Sequence, residues 1–261
     1  MKLVEFGKPS LFKFCPSKYN IMEGCNSLRI GTLWGFREEE NALLRDEGEG
    51  EFEFIIDFSE MTPVSQAWIS EFDVGAKGSV YIEEMQINSG GIAVKGATLK
   101  GSTHNCWIFC VSLSGDAVGN VSQAHDSKWM IPEGKIQEFG NFLGTLLWGK
   151  VSIDDLPQPL VQKHTLQELH AGLALQVQMQ AVSYIDRRRI IGSEADFPVE
   201  KIRELKNNIA FMKPKRFSAE QEFRFAFWLS FRNQRISINA NPKIIQLRQI
   251  DQFVSKVPER S

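Results

Sequence analysis

Apolar and polar residues alternate along several stretches of this chain, as they do in strands that have one buried face. In the stretch 51–58, for example, Phe52, Phe54, Ile56 and Phe58 fall on one side. The sequence Asn88-Ser89-Gly90-Gly91 separates two other such runs and indicates a hairpin turn. The pattern predicts strands at 28–33, 51–58, 80–87, 92–99, 106–113, 175–181 and 220–227.

Two segments instead carry apolar residues at the three-and-four spacing of a helix. The first follows Pro132, which is expected in the first turn, and its apolar stripe consists of Ile136, Phe139, Phe142, Leu143, Leu146 and Leu147. The second has Asp196 as its expected cap and Pro198 near its first turn, with Val199, Ile202 and Leu205 on one face. Many strands and few helices predict an α+β fold of two packed, mainly antiparallel sheets, in one domain spanning 1–261.

Charge and composition indicate which kinds of partner the sequence does not favour. The chain has 30 Lys and Arg against 32 Asp and Glu, so net charge does not favour nucleic acid or an anionic membrane as the principal partner. The N-terminus lacks the apolar run of a signal peptide, and no later stretch is apolar for long enough to span a bilayer. We therefore expect a soluble, cytoplasmic protein without a membrane partner.

Cysteine and histidine positions do not indicate a metal centre. Cys15, Cys25, Cys106 and Cys110 lack the paired spacing of a zinc site and are too few for a disulfide framework. We expect reduced thiols and no metal. The four histidines are scattered, and no Ser or Cys stands in a nucleophile-elbow sequence.

The most informative chemistry lies where a polar loop enters the last alternating strand. There, strand alternation predicts that Glu220, Glu222 and Arg224 share one face. The opposite face carries Phe223, Phe225 and Phe227. Two acids and a guanidinium in this position can stabilise a cationic transition state and assist a nucleophile. The alternative is a solvated strand end with a local salt bridge.

A second candidate group lies near the N-terminus. Arg37, Asn41 and Arg45 are spaced four apart, so they share a face in a helical stretch. Guanidinium groups match phosphate geometry, and such a face can receive a pyrophosphate. The alternative is an exposed helix in which Glu and Arg residues pair.

Two short basic runs are candidates for contact with nucleic-acid phosphates. They are Arg187-Arg188-Arg189 and Lys213-Pro214-Lys215-Arg216, and the second lies just before the Glu-x-Glu segment. If an acceptor binds beside Glu222, Lys215 and Arg216 favour an anionic one. The alternative is that both runs are solvated loops.

Several short motifs occur in the order seen in a large bacterial family of originally unassigned function that is often associated with phage defence. The motifs are Phe12-Lys13-Phe14, Ile30-Gly31-Thr32, Arg37 with Asn41, Arg45-Asp46-x-x-Glu49-Gly50, Phe109-Cys110-Val111-Ser112, Val182-Ser183-Tyr184, and Lys213 followed by Glu220-x-Glu222-Phe223-Arg224. The same layout resembles a divergent ADP-ribosyltransferase, similar in plan to bacterial toxins that ADP-ribosylate DNA. This resemblance covers most of the chain.

The resemblance implies an ADP-ribosyltransferase-like fold and NAD as a substrate, with Glu222 as the catalytic glutamate and Glu220 as the acid near the acceptor. Lys13 and Phe14 occupy its first motif. It places Arg37 or Arg45, with Asn41, at the pyrophosphate. Phe14 or Tyr184 would lie against the nicotinamide, although Tyr184 is alternatively an ordinary strand aromatic.

The function expected from this resemblance is a toxin or anti-phage effector that modifies a macromolecule, with single-stranded RNA or DNA favoured over protein. A neutralising antitoxin is then an expected partner. Two alternatives stay open at this point. One is an NAD glycohydrolase, with water as the acceptor, and the other is a non-catalytic module that binds a nucleotide or nucleic acid.

Overall fold

The computed structural model describes residues 10–37, 46–71, 77–116, 125–239 and 241–258. The chain divides into two compact units. Unit 1 consists of Met1–Glu47, Asn105–Val182 and Arg216–Ser261, and unit 2 consists of Gly48–His104 and Ser183–Lys215. Each unit has its own sheet and its own apolar cluster. A single domain over 1–261 stays a prediction.

Strands account for most of the regular structure. They are β1 (Leu11–Cys15), β2 (Ser27–Thr32), β3 (Glu51–Val64), β4 (Lys77–Asn88), β5 (Gly91–Ser102), β6 (Trp107–Ser112), β7 (Ser127–Ile131), β8 (Leu173–Ala181), β9 (Ser183–Tyr184), β10 (Arg188–Ile191), β11 (Met212–Lys213), β12 (Glu222–Phe231), β13 (Gln234–Arg235), β14 (Lys243–Gln246) and β15 (Ser255–Lys256).

The α-helices are α1 (Gln66–Ser70), α2 (Ile136–Trp148), α3 (Gln158–Lys163), α4 (Leu166–Gly172) and α5 (Val199–Asn208). Short 3₁₀ helices include Trp34–Arg37 and Lys215–Glu220. None of the helices in the described ranges has the length and apolar character needed to cross a bilayer.

Unit 1 is built on a large antiparallel sheet in which β12 is central. β12 pairs with β8 along one edge and with β6 along the other, and the order continues from β6 through β1 and β7 to β15. β2 pairs with both β6 and β14, and β13 forms a hairpin with the end of β12. β12, the strand of Glu222, therefore has a neighbouring strand on each side.

Helix α2 covers the apolar face of this sheet. Phe225 and Phe227 of β12 are fully buried in the same cluster as Phe139 and Leu143 of α2. Burying each such side chain contributes about 1.5–3 kcal/mol. A Cβ at Gly140 would lie 2.5 Å from the Met179 sulfur and 3.0 Å from the Phe225 ring, so a larger residue at this position would require these side chains to shift.

Unit 2 contains a four-stranded sheet in the order β10-β3-β5-β4, in which only β10 runs parallel to its neighbour. The β4–β5 hairpin turns at Gly91, whose φ of 123° suits glycine. Trp68 of α1 is fully buried and its indole N–H donates to the Phe197 carbonyl at 2.7 Å. The short strands β9 and β11 form a separate parallel pair.

The structure confirms the α+β class, with mainly antiparallel sheets and few helices. It corrects two helix boundaries. Helix α2 begins at Ile136, four residues after Pro132, because a turn in which Lys135 N donates to the Pro132 carbonyl comes first. Pro198, not Asp196, is the residue that precedes α5, and the Asp196 carboxylate instead accepts a hydrogen bond from Ser193.

Candidate functional site

The backbone changes conformation in the residues that lead into β12. The 3₁₀ helix Lys215–Glu220 ends at Glu220, Gln221 has a φ of 44°, and the strand begins at Glu222. A left-handed residue interrupts strand alternation. The prediction that Glu220 shares a strand face with Glu222 is therefore wrong, because Glu220 is not in the strand.

Glu222 and Arg224 do share a face of β12, as predicted. Arg224 Nε donates to Glu222 Oε1 at 2.5 Å. Only 5% of Glu222 and 1% of Arg224 is exposed, so this is an ion pair inside the protein. The guanidinium stabilises the negative charge of the carboxylate, which burial alone would disfavour.

The neighbouring strand β6 places a hydroxyl and a thiol on this same face. Ser112 lies opposite Glu222 in the register, and Cys110 lies opposite Arg224. The Ser112 hydroxyl donates to the Glu220 main-chain carbonyl at 2.9 Å, and Leu113 N donates to the Gln221 carbonyl at 2.7 Å. These two bonds hold the entrance turn of β12 against the end of β6.

The Cys110 thiol is much less acidic than that of an ordinary cysteine. Burial raises its pKa well above the usual value, and the nearby Glu222 carboxylate raises it further, while Arg224 and Lys13 act in the opposite direction. Cys110 is therefore a protonated thiol at neutral pH. A thiol beside a carboxylate can donate a hydrogen bond to it and so help to orient it.

The two predicted site residues of strand β1, Lys13 and Phe14, lie on opposite faces of the sheet. Phe14 lies on the sheet face of Glu222, because Phe12 pairs with Ser112 and alternation carries Phe14 to the same side. Lys13 lies on the opposite face, where its Nζ donates to the Cys110 carbonyl at 2.9 Å and lies over the Phe109 ring. The structure thus brings Phe14, but not the Lys13 ammonium, to the face of Glu222.

The other predicted NAD-binding residues belong to other elements of the structure. Arg37 ends the 3₁₀ helix Trp34–Arg37, with its guanidinium 5.0 Å from the centre of the Trp34 ring. Tyr184 belongs to unit 2, where it pairs with Lys213 between β9 and β11. Asn41 and Arg45 lie outside the described residues.

The two basic runs differ in how much charge they leave at the surface. Arg187 pairs with the buried Glu49 at 3.3 Å, and Arg188 pairs with Glu53 at 3.2 Å. Lys215 and Arg216 are exposed. Two of the three arginines of the run at Arg187 thus face carboxylates in unit 2, whereas Lys215 and Arg216 carry their charges at the surface.

A cleft of about 630 Å³ is present in unit 2, at the end of the sheet formed by β3, β5 and β10. Glu53 on its wall pairs with both Lys100 and Arg188, at 2.9 and 3.2 Å. At this wall of the cleft one carboxylate thus faces two cations.

Sequence reasoning missed the partners that β6 and β8 supply to the face of Glu222. The sequence indicated Cys110 and Ser112 only as parts of a strand and of a short motif, and it indicated β8 only as a strand at 175–181. The signal was present in β12 itself, where Glu222, Arg224, Trp228 and Ser230 occupy alternate positions among phenylalanines. A central strand with polar residues on one face requires polar partners from both neighbours.

No group of three or more His, Cys, Asp or Glu side chains is arranged to hold a metal ion within the described parts of the chain. Comparisons with protein-family models, with curated proteins and with solved structures found no match to this chain.

Proposed function

We propose that this chain is an NAD-dependent ADP-ribosyltransferase with Glu222 as its catalytic carboxylate. The observation that supports this most directly is the position of Glu222. It is the first residue of the central strand, and Arg224 holds its carboxylate at 2.5 Å. A carboxylate fixed and kept charged by a guanidinium is suited to oppose a developing positive charge, since a preorganised group needs no reorientation during reaction.

In the proposed reaction the bond between C1′ of the ribose and the nicotinamide nitrogen breaks, and its electron pair leaves with nicotinamide. The ribosyl group becomes positively charged, and Glu222 stabilises it while accepting a hydrogen bond from the ribose 2′-hydroxyl. The acceptor forms a new bond to C1′ and loses its proton to Glu220. Phe14, on the same sheet face as Glu222, is proposed to lie against the nicotinamide.

We further propose that the acceptor is a nucleic acid, with a single strand favoured because its bases need not be unstacked. Support comes from the exposed Lys215 and Arg216, which begin the 3₁₀ helix that ends at Glu220. A role as a toxin or an anti-phage effector, with a neutralising partner, belongs to the same proposal. It rests on the resemblance described above.

One observation favours a different class of function. Glu222 is only 5% exposed and its carboxylate is already bound by Arg224, as in an ion pair that supports a binding module without catalysis. Such a module would bind a nucleotide or a nucleic acid without consuming NAD.

The experiment that tests the proposal is incubation of the purified chain with NAD labelled in its adenylate phosphate and with separate pools of RNA, DNA and protein. Label in a macromolecular pool supports the transferase. Accumulation of free ADP-ribose without labelled macromolecule identifies an NAD glycohydrolase instead. Unchanged NAD in every pool contradicts both enzymes and favours the binding module.

A further inference from the structure

A second polar group lies on the Glu222 face of the unit 1 sheet, at the other end of β12. The guanidinium carbon of Arg235, on β13, lies 4.2 Å from the centre of the Trp228 ring. Trp228 is six residues beyond Glu222 along the strand, a separation of about 20 Å at about 3.3 Å per residue. The group formed by Trp228, Arg235 and Gln178 is thus separate from the Glu222–Arg224 pair.

Gln178 of β8 fixes the positions of both other side chains. Its Oε1 accepts one hydrogen bond from Trp228 Nε1 at 3.1 Å and another from Arg235 Nη2 at 3.3 Å. Both of these partners are obligatory donors, so the amide oxygen, not the amide nitrogen, must face them. The Arg235 guanidinium is therefore held over the indole of Trp228 by stacking on the ring and by the hydrogen bond from Nη2 to Gln178.

Arg235 differs from the other arginine of this sheet face in its charge partner. Arg224 is bound by Glu222, whereas Arg235 pairs with no carboxylate among the described residues and contacts a neutral amide and a ring. Burial lowers the pKa of Arg235, with the nearby Cys106 acting in the opposite direction. A guanidinium that is partly removed from water without an anion to balance it is costly, and an anionic ligand would remove that cost.

We propose that Arg235, held by Trp228 and Gln178, is the anchor of an oxyanion site that binds a phosphate group. A guanidinium has five N–H donors in a planar fork, and the contact to Gln178 uses one of them. The fork matches two oxygens of a phosphate, and stacking on Trp228 orders it before the ligand arrives. Arg235 is partly exposed, so a ligand can reach it. The site does not depend on whether NAD is a substrate.

The test is calorimetric titration of the full chain with inorganic phosphate, inorganic pyrophosphate and acetate, each up to about 10 mM, which detects millimolar affinity. The variants are Arg235→Gln, which removes the charge, and Arg235→Lys, which keeps the charge but loses the fork and the stack. Arg232→Gln is the matched control. Arg232 also lies over a ring, that of Phe231, but it is 60% exposed and faces Glu168 at 3.8 Å.

We expect phosphate or pyrophosphate to bind the wild type and Arg232→Gln equally, and Arg235→Gln at least about tenfold more weakly, the value of one charge-assisted pair. The affinity of Arg235→Lys should fall between those of the wild type and Arg235→Gln. If circular dichroism shows that Arg235→Gln is unfolded, the affinity of Arg235→Lys tests the proposal in its place. Pyrophosphate binding better than phosphate points to a nucleotide as the source of the group. Binding that is equal in all variants, confined to acetate, or absent from the wild type overturns the proposal.

Discussion

Arg224 Nε donates to Glu222 Oε1 at 2.5 Å, and both side chains are buried two residues apart on one face of the central strand. Each residue therefore determines what the other can do. Without Arg224, the Glu222 carboxylate would be a buried charge with its strongest partner removed. Without the charge on Glu222, the guanidinium would lose the anion that balances it.

The first prediction concerns stability. Arg224→Met should lower the free energy of unfolding by about 3–5 kcal/mol, because it leaves a buried carboxylate without its cation. The double variant Glu222→Gln/Arg224→Met should recover part of that loss, since neither charge then remains. Urea unfolding followed by fluorescence measures both effects. A double variant no more stable than Arg224→Met would show that the pair is not the source of the loss.

The second prediction separates the two acids by role. Glu220→Gln should slow transfer to the acceptor more than it slows cleavage of NAD, because Glu220 is proposed to act on the nucleophile and not on the ribosyl cation. Transfer is measured as labelled acceptor, and cleavage as released nicotinamide. Equal losses in the two assays would contradict this division of labour.

The third prediction concerns pH. The folded state raises the pKa of Cys110, so the unfolded chain loses this thiol proton first as pH rises, and the folded state then binds more protons. The contribution of Cys110 is thus complete below the unfolded pKa and decreases above about pH 9, by up to about 1.4 kcal/mol per pH unit.

Urea unfolding of the wild type and of Cys110→Ser, at several pH values between about 7 and 10, measures this pH dependence. Serine lacks the thiol, whose proton is lost from the unfolded chain in that pH range. The loss of stability at high pH should be smaller in Cys110→Ser than in the wild type. Cys25→Ser, at a cysteine whose thiol faces the Ser27 carbonyl at 3.4 Å, is the control. A wild type and a Cys110→Ser variant with the same pH dependence would exclude this cause.

The fourth prediction concerns the acceptor. Charge reversal of Lys215 and Arg216 to Glu should reduce modification of a nucleic acid and leave the affinity for NAD unchanged, because both side chains are exposed and precede the strand. Acceptor binding by the wild type should weaken as salt increases, since phosphate contacts release counterions. Label that enters only protein, together with acceptor binding that salt does not affect, would refute a nucleic-acid acceptor.

Local alternation predicted strands β6, β8 and β12 of the large sheet but not β1 and β7. Phe225 and Phe227 indicated a deeply buried strand face, and the apolar stripe of 136–147 indicated the helix that covers it. Alternation failed at Gln221, where a left-handed residue displaces Glu220 from the strand. A positive φ at glutamine has no reliable sequence signal, because it depends on the bonds that β6 makes to this turn.

The partners of Glu222 were not predictable because they are distant in the chain. Ser112 and Cys110 reach this face through the pairing of β6 with β12, which joins residues more than a hundred positions apart. The same holds for Arg235 and Gln178, which meet over Trp228 from β13 and β8. Sequence pattern indicates which face a side chain occupies, and strand order determines which side chains it meets.

The most direct test of the central claim is the initial rate of label transfer from NAD by folded Glu222→Gln, compared with the wild type and with Glu133→Gln at an exposed position. The amide keeps the shape of the side chain and removes its negative charge. We predict a loss of about a hundredfold or more for Glu222→Gln, the usual effect of removing one preorganised electrostatic group, and an unchanged rate for Glu133→Gln. A Glu222→Gln protein with native circular dichroism and the wild-type rate would contradict the proposed catalytic role.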